Sequence, residues 1–169
     1  MEEQIVLNSG ELEFAANLWG LSDEEKKTIL PNLNPFQKRY IRHWPDFFRY
    51  KIIQEVKWAK KCAEKAEEGD KLVYNGMGEY LPFESTFGCA FAIQGMFPLM
   101  HVIRERLLSG LDPTPQNLNL VRCIDNPPER GGSGATLYNV YCVKSRCEIP
   151  DGMFRPGVKE YVEERLKSK

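Results

Sequence analysis

A run of nineteen residues, 85–103, carries no formal charge, and this length reaches the lower limit for crossing a bilayer, about 17–25 residues. The run contains Gln94, Pro98 and His101, and such groups are costly against lipid when a single span has no neighbouring helices. We therefore expect the run to lie buried in the core of the fold. The alternative is a subunit of a membrane complex whose partners cover these polar groups.

The first seventy residues carry repeated helix signals. In a capping box, the side chain at the helix start and the side chain three positions later each bond a free backbone N–H of the first turn. Three residue pairs have this spacing: Asn8 with Glu11, Ser22 with Glu25, and Asn34 with Gln37. They predict three helix starts, the third followed by a proline at its first helical position.

Residues 45–68 show an apolar stripe at helical spacing. The stripe consists of Phe48, Ile52, Val56, Ala59, Ala63 and Ala66. It predicts one long helix, which begins at Pro45 and ends at Gly69.

Strand signals dominate the second half of the chain. Segments 71–75 and 79–83 flank a turn at Asn75-Gly76-Met77-Gly78 and predict a hairpin. Segments 118–124 and 136–144 also predict strands, and the second is apolar on both faces, as expected of a central strand. A polar loop, 125–134, separates them, and a last helix is predicted to begin at Pro156. Helices and strands cluster rather than alternate, which favours an α+β fold with a small, mainly antiparallel sheet of about four strands, covered by an N-terminal helical region and a C-terminal helix.

Length and composition suit one domain, 1–169, with a helical part (1–69) and a mixed part (70–169), because 169 residues can bury one sizeable core but hardly two. The first residues have two acids and neither a basic nor an apolar leader region, so we expect a cytoplasmic protein. Five irregularly spaced cysteines are typical of free thiols in a reducing compartment.

Positive charge is concentrated in residues 34–61, which we call the basic aromatic segment. It has a net charge of +6, whereas the rest of the chain carries −7. Seven rings are interleaved with the cations: Phe36, Tyr40, Trp44, Phe47, Phe48, Tyr50 and Trp58. Cations that neutralise phosphates and rings that stack on bases are typical of a nucleic-acid surface. The same residues also suit a helix pair with buried rings, or a basic surface that docks on an acidic protein.

Six residues are our candidates for contacting a protein partner or a nucleic acid: Lys38, Arg39, Tyr40, Arg42, Arg49 and Arg130. Lys38 and Arg42 stand at i and i+4 and can share a helix face, with Arg39 beside it. Arg130 belongs to the polar loop, whose length and exposure suit recognition.

The sequence offers weak candidates for catalysis. Cys89 begins an apolar helical segment, where helix N–H groups could stabilise a thiolate. On one helix His101 would lie about 18 Å from Cys89, so only His43 could act as its base. The glycine-rich stretch 130–136 could cradle an anion but lacks the Lys-Ser/Thr ending of a phosphate-binding loop and precedes a strand.

Metal ligation also lacks a complete set. Cys142 and Cys147 have the widest spacing seen in zinc pairs, and a site would need Cys123 together with Cys62, Cys89 or a histidine. We therefore predict no catalytic residues, no metal and no cofactor.

These observations lead to three hypotheses. We favour a non-enzymatic intracellular binding protein, an accessory subunit or a small regulator or inhibitor of a protein complex, which uses the basic aromatic helices to dock on a protein partner, possibly an acidic one. The second hypothesis is RNA or DNA binding through the basic aromatic segment. The third is an enzyme with a sparse site around Cys89 or the glycine-rich stretch. Direct membrane association is not expected, except as part of a membrane complex.

Overall fold

The computed structural model describes residues 5–115, 117–149 and 151–168, with backbone alone for 117–119. Within these ranges the chain forms five α-helices and four strands. The helices are α1 (Ser9–Trp19), α2 (Asp23–Ile29), α3 (Pro35–His43), α4 (Ala90–Leu108) and α5 (Val158–Lys167). The strands are β1 (Tyr50–Lys60), β2 (Lys71–Asn75), β3 (Asn117–Arg122) and β4 (Ala135–Lys144). All strand pairs are antiparallel, so the predicted α+β class with a small antiparallel sheet is confirmed.

The three predicted capping boxes are present. Asn8, Ser22 and Asn34 each accept a hydrogen bond from the backbone N–H three residues later, and each N-cap N–H donates to the side chain at that position. These reciprocal bonds satisfy two N–H groups that a helix otherwise leaves open. Local sequence therefore sets the starts of α1, α2 and α3.

The prediction of a long helix over residues 45–68 is wrong. A short 3₁₀ turn, Trp44–Arg49, follows α3, and the chain then forms the eleven-residue strand β1. Ile52, Gln54 and Val56 are buried on one face of β1, while Ile53 and Glu55 between them are partly exposed. Alternation with period two defines a strand, so the part called helical, 1–69, in fact supplies a central strand of the sheet.

The sheet has the strand order β2-β1-β4-β3. The prediction that β4 is central is therefore confirmed. β1 and β4 pair from Tyr50 opposite Lys144 to Lys60 opposite Ala135, with one register shift near Val56. The second predicted hairpin arm, 79–83, is not a strand, since only Tyr80 forms a bridge, to Tyr74.

Helix α4 contains most of the uncharged run, and the prediction that this run lies buried in the core holds for only one face of the helix. Ala92, Met96, Met100 and Ile103 are buried along one face at spacings of four and three residues. The opposite face exposes apolar side chains, namely Phe91, Phe97 and Val102, as well as Gln94 and His101. α4 thus buries one apolar face, while its exposed face mixes polar side chains with more apolar ones than a solvent-exposed helix face usually carries. Among the described residues, no helix combines the length and hydropathy that a membrane crossing needs.

Candidate functional site

Two adjoining depressions flank His43, and we call them together the His43 cleft. One, of about 250 Å³, is lined by Asp46, Arg49, Asp112 and Lys144 besides His43. The other, of about 280 Å³, is lined by His43 together with Arg39 and Arg42. The cleft therefore collects four permanent cations and two carboxylates, and three of the cations come from the basic aromatic segment.

The α3 side of the cleft is one helical face. Arg39, Arg42 and His43 stand at i, i+3 and i+4 and project in similar directions. Arg39 lines the cleft together with Arg42, whereas Lys38 does not. Arg42 is itself anchored, since its Nε donates to Oε1 of the buried Glu11 at 3.1 Å and its Nη2 donates to the carbonyl of Val6.

Asp46 contacts two other side chains of the cleft, those of His43 and Arg49. Its Oδ2 lies 3.2 Å from Nδ1 of His43, and its Oδ1 accepts a hydrogen bond from Nε of Arg49 at 3.1 Å. Arg49 also donates to the carbonyl of Arg165 in α5. One carboxylate thus fixes both an imidazole and a guanidinium, which reduces the entropy lost when either group binds an anion.

The opposite wall is the end of α4. Gly110 follows this helix with φ +69°, and a Cβ built there would lie 3.2 Å from Cε1 of His43. A glycine satisfies both the left-handed backbone and the close approach to the ring. Leu107, Leu108 and Ser109 complete this wall.

Charged residues that line the cleft shift the pKa values of their neighbours. Hydrogen bonds from Thr114, together with the positive charges of Lys144 and Arg106, lower the pKa of Asp112. Burial and the nearby carboxylates of Asp112 and Asp46 raise the pKa of Tyr50. In the described part of the chain, neither Lys144 nor Arg39 forms a salt bridge or a side-chain hydrogen bond. Two cations that form neither an ion pair nor a side-chain hydrogen bond therefore line the cleft, Lys144 in one depression and Arg39 in the other.

The rings of the basic aromatic segment belong mainly to the core. Trp44, Phe47 and Phe48 are fully buried, whereas Phe36 and Trp58 are exposed. Tyr50 is the one ring of the seven among the residues that line the cleft. A stacking surface for bases needs several accessible rings beside the cations, and the cleft does not have them.

The remaining candidates lie elsewhere. The Tyr40 hydroxyl accepts a hydrogen bond from Nε1 of Trp44 at 3.1 Å and therefore helps to hold the core. Lys38 does not line either depression, and Arg130 ends a short turn in the polar loop, remote in sequence from the cleft. Of the six candidate contact residues, the structure brings together Arg39, Arg42 and Arg49.

The two features considered for catalysis meet in a different cavity. Cys89 and residues Ser133, Gly134 and Thr136 of the glycine-rich stretch line a pocket of about 150 Å³, together with Cys62 and Cys123. Neither histidine is among its lining residues, so a Cys89–His43 pair is not formed there. Among the described residues, no group of three or more potential ligands is placed to hold a metal ion.

Sequence reasoning missed the roles of His43, Asp46 and Lys144 in the cleft. A signal existed for the first two, because His43 and Asp46 stand three residues apart at the end of α3, close enough to interact. Lys144 lies at the end of β4, and Tyr50 is its β1 partner. Lys144 reaches the His43 cleft only through the register of the sheet.

Comparison with known proteins adds no assignment. The chain matches no protein-family model, no curated protein and no solved structure at a significant level.

Proposed function

We propose that the protein is a non-enzymatic binding protein that docks an acidic segment of a protein partner in the His43 cleft. The observation that carries this proposal is that Arg39 and Lys144, which form no ion pair or side-chain hydrogen bond, line the two depressions that share His43. An extended acidic segment that crosses His43 meets both cations. Charge complementarity of this kind guides association and fixes orientation.

A protein segment fits the cleft better than a nucleic acid does. The carboxylates of Asp46 and Asp112 line it and repel a continuous phosphate backbone, and only one of the seven rings of the basic aromatic segment, Tyr50, lines the cleft. An acidic peptide can instead place its carboxylates at the cations and its backbone N–H groups near the two aspartates.

The test uses a fluorescein-labelled octaglutamate peptide, a 20-base-pair DNA and a single-stranded RNA of 20 nucleotides as probes. Arg39→Glu and Lys144→Glu are each expected to weaken peptide binding about five- to tenfold, since each variant turns an attraction into a repulsion. Lys27→Glu makes the same charge change at an exposed position of α2, outside the cleft, and should leave binding nearly unchanged.

Two results would overturn the proposal. One is an equal loss of peptide binding in all three variants, which would show that only overall charge matters. The other is tighter binding of DNA or RNA than of peptide, with the same dependence on Arg39 and Lys144, which would support the nucleic-acid hypothesis.

A further inference from the structure

Three of the five cysteines converge on one cavity, although they are far apart in the chain. Cys62 follows β1, Cys89 is the N-cap residue of α4, and Cys123 follows β3. All three line the cavity of about 150 Å³, beside the rings of Phe91 and Tyr138. The other two cysteines, Cys142 and Cys147, are buried away from it. The thiols are thus sorted into a group around a cavity and a group within the core.

The walls of this cavity are fixed by close backbone contacts. A Cβ on Gly134 would lie 2.4 Å from the carbonyl oxygen of Lys61 and 2.5 Å from Cα of Cys62, so only a glycine lets β4 start so close to this loop. Asp125 accepts hydrogen bonds from the N–H groups of Asn126 and Ser133 and closes the polar loop on the other side. Close backbone contacts at Gly134 and the Asp125 carboxylate therefore fix part of the cavity wall.

The three thiols differ in accessibility. Cys62 and Cys89 are partly exposed, whereas Cys123 is buried, and burial raises the pKa of its thiol. A backbone hydrogen bond at Asp125 acts in the opposite direction but does not cancel the effect of burial. Cys62 and Cys89 are therefore the two thiols of this group that a small molecule can reach.

We propose that this cavity is a covalent binding site for a small planar molecule with a carbonyl-conjugated double bond, attached through the thiol of Cys89. The volume is close to that of an engineered apolar cavity that binds benzene, about 150 Å³, so the cavity lined by Phe91 and Tyr138 has room for a six-membered ring. Cys89 is chosen because it is accessible and stands at the start of α4, where no side chain caps the helix.

The chemistry requires no further reagent. The Cys89 sulfur forms a bond to the β-carbon, the electron pair of the double bond moves to the carbonyl oxygen, and the proton lost from the thiol ends on the α-carbon. While negative charge develops on the carbonyl oxygen, the open N–H groups at the start of α4 can donate to it. The product is a saturated ketone joined to the protein by a thioether.

The probe is cyclohex-2-en-1-one, and the readout is mass spectrometry of the full chain and its peptides over time. We expect the adduct at Cys89 to form at least about tenfold faster than the adduct of glutathione at the same pH, because the cavity holds the ring against the thiol. Cyclohexanone, which lacks the double bond, should slow the labelling by occupying the cavity. Cys89→Ser should abolish the fast adduct, while Cys62→Ser should retain it.

A variant that blocks the opening of the cavity distinguishes labelling that depends on binding in the cavity from labelling that depends only on an accessible Cys89 thiol. Ala63 is an exposed lining residue, so Ala63→Trp should cover the opening and reduce labelling to the glutathione rate, while Ala63→Ser should not. The proposal is overturned if the adduct forms at the glutathione rate without protection by cyclohexanone, if Cys62 is the residue labelled, or if Ala63→Trp changes nothing while its melting temperature shows a folded protein.

Discussion

The guanidinium of Arg42 lies 3.1 Å from the carboxylate of Glu11 and joins the end of α3 to the first turn of α1. Burial by itself would raise the pKa of Glu11, but hydrogen bonds from Arg42 and from the Asn8 N–H outweigh it, and the pKa lies below its usual value of 4.5. A carboxyl whose pKa is lower in the folded state stabilises the fold above its unfolded pKa. This stabilisation is lost as the pH falls through the folded pKa.

We therefore expect Glu11→Gln to lower the free energy of unfolding by about 2 kcal/mol at pH 7, since it leaves the Arg42 charge without its partner. The difference from the parent should narrow as the pH falls below about 4.5, where the carboxyl of the unfolded parent begins to be protonated, and should be lost below the folded pKa. Urea denaturation at a series of pH values measures both effects. Glu13→Gln, on the exposed side of α1, is the control and should show neither. A difference that does not vary with pH would contradict the assigned pKa direction.

The Tyr74 hydroxyl donates a hydrogen bond to the side-chain carbonyl of Gln54 at 2.9 Å inside the core, and Gln54 Nε2 donates to the carbonyl of Ala92. Tyr74→Phe should cost about 1–3 kcal/mol, because the Gln54 carbonyl loses its buried donor. Adding Gln54→Met should recover part of this cost, since it removes the polar group that was left without a partner. Denaturation of the two single variants and the double variant gives the coupling energy, and additive losses would show that the two side chains do not interact.

Adjacent positions of α4 test its two faces. Ile103 is 1% exposed and Val102 is 40% exposed. Ile103→Asp should lower the free energy of unfolding by about 3 kcal/mol or more, since it buries a charge. Val102→Asp introduces the same charge on the outer face and should cost about 1 kcal/mol or less. Equal losses in thermal denaturation would mean that the orientation of α4 is wrong.

The cysteines should react in two groups. Burial raises the pKa of Cys142 to about 12 and that of Cys147 to about 11, so at pH 8 both stay protonated and out of reach. A disulfide reagent such as dithiobisnitrobenzoate should therefore modify Cys62 and Cys89 quickly in the folded protein, and the three buried thiols, Cys123, Cys142 and Cys147, only after denaturation. Titration in denaturant without a reductant should find all five thiols. Fewer than five would reveal a disulfide.

Local signals in the sequence were sufficient for the first three helices, because each capping box is completed by residues only three positions apart. They were insufficient for β1. Its residues Ile52, Val56 and Ala59 fit helical spacing as well as they fit a strand, and the buried Gln54 hides the alternation expected of the strand. The β-branched pair Ile52-Ile53 is a strand signal that the prediction of a helix did not take into account.

In the candidate site, too, some residues could be predicted from the sequence and others could not. Arg39 and Arg42 could be chosen from charge and spacing within one helix. Gly110 and Lys144 could not, because they reach His43 only through the end of α4 and the register of the sheet. Nor does spacing along the chain place Cys62, Cys89 and Cys123 around one cavity, since each comes from a separate element.

The central strand pair also determines when the protein can fold during synthesis. Glu55 of β1 accepts a hydrogen bond from Tyr141 of β4, 86 positions later in the chain. At a synthesis rate of about 5–20 residues per second, β1 waits roughly 4–17 s for this partner. Until then only its contact with the short edge strand β2 is available, and Ile52 and Val56 have no second strand beside them. Folding on the ribosome should therefore begin late and in one step, because strand pairing over such a separation along the chain is slow. Chains that end before β4 should be prone to aggregate.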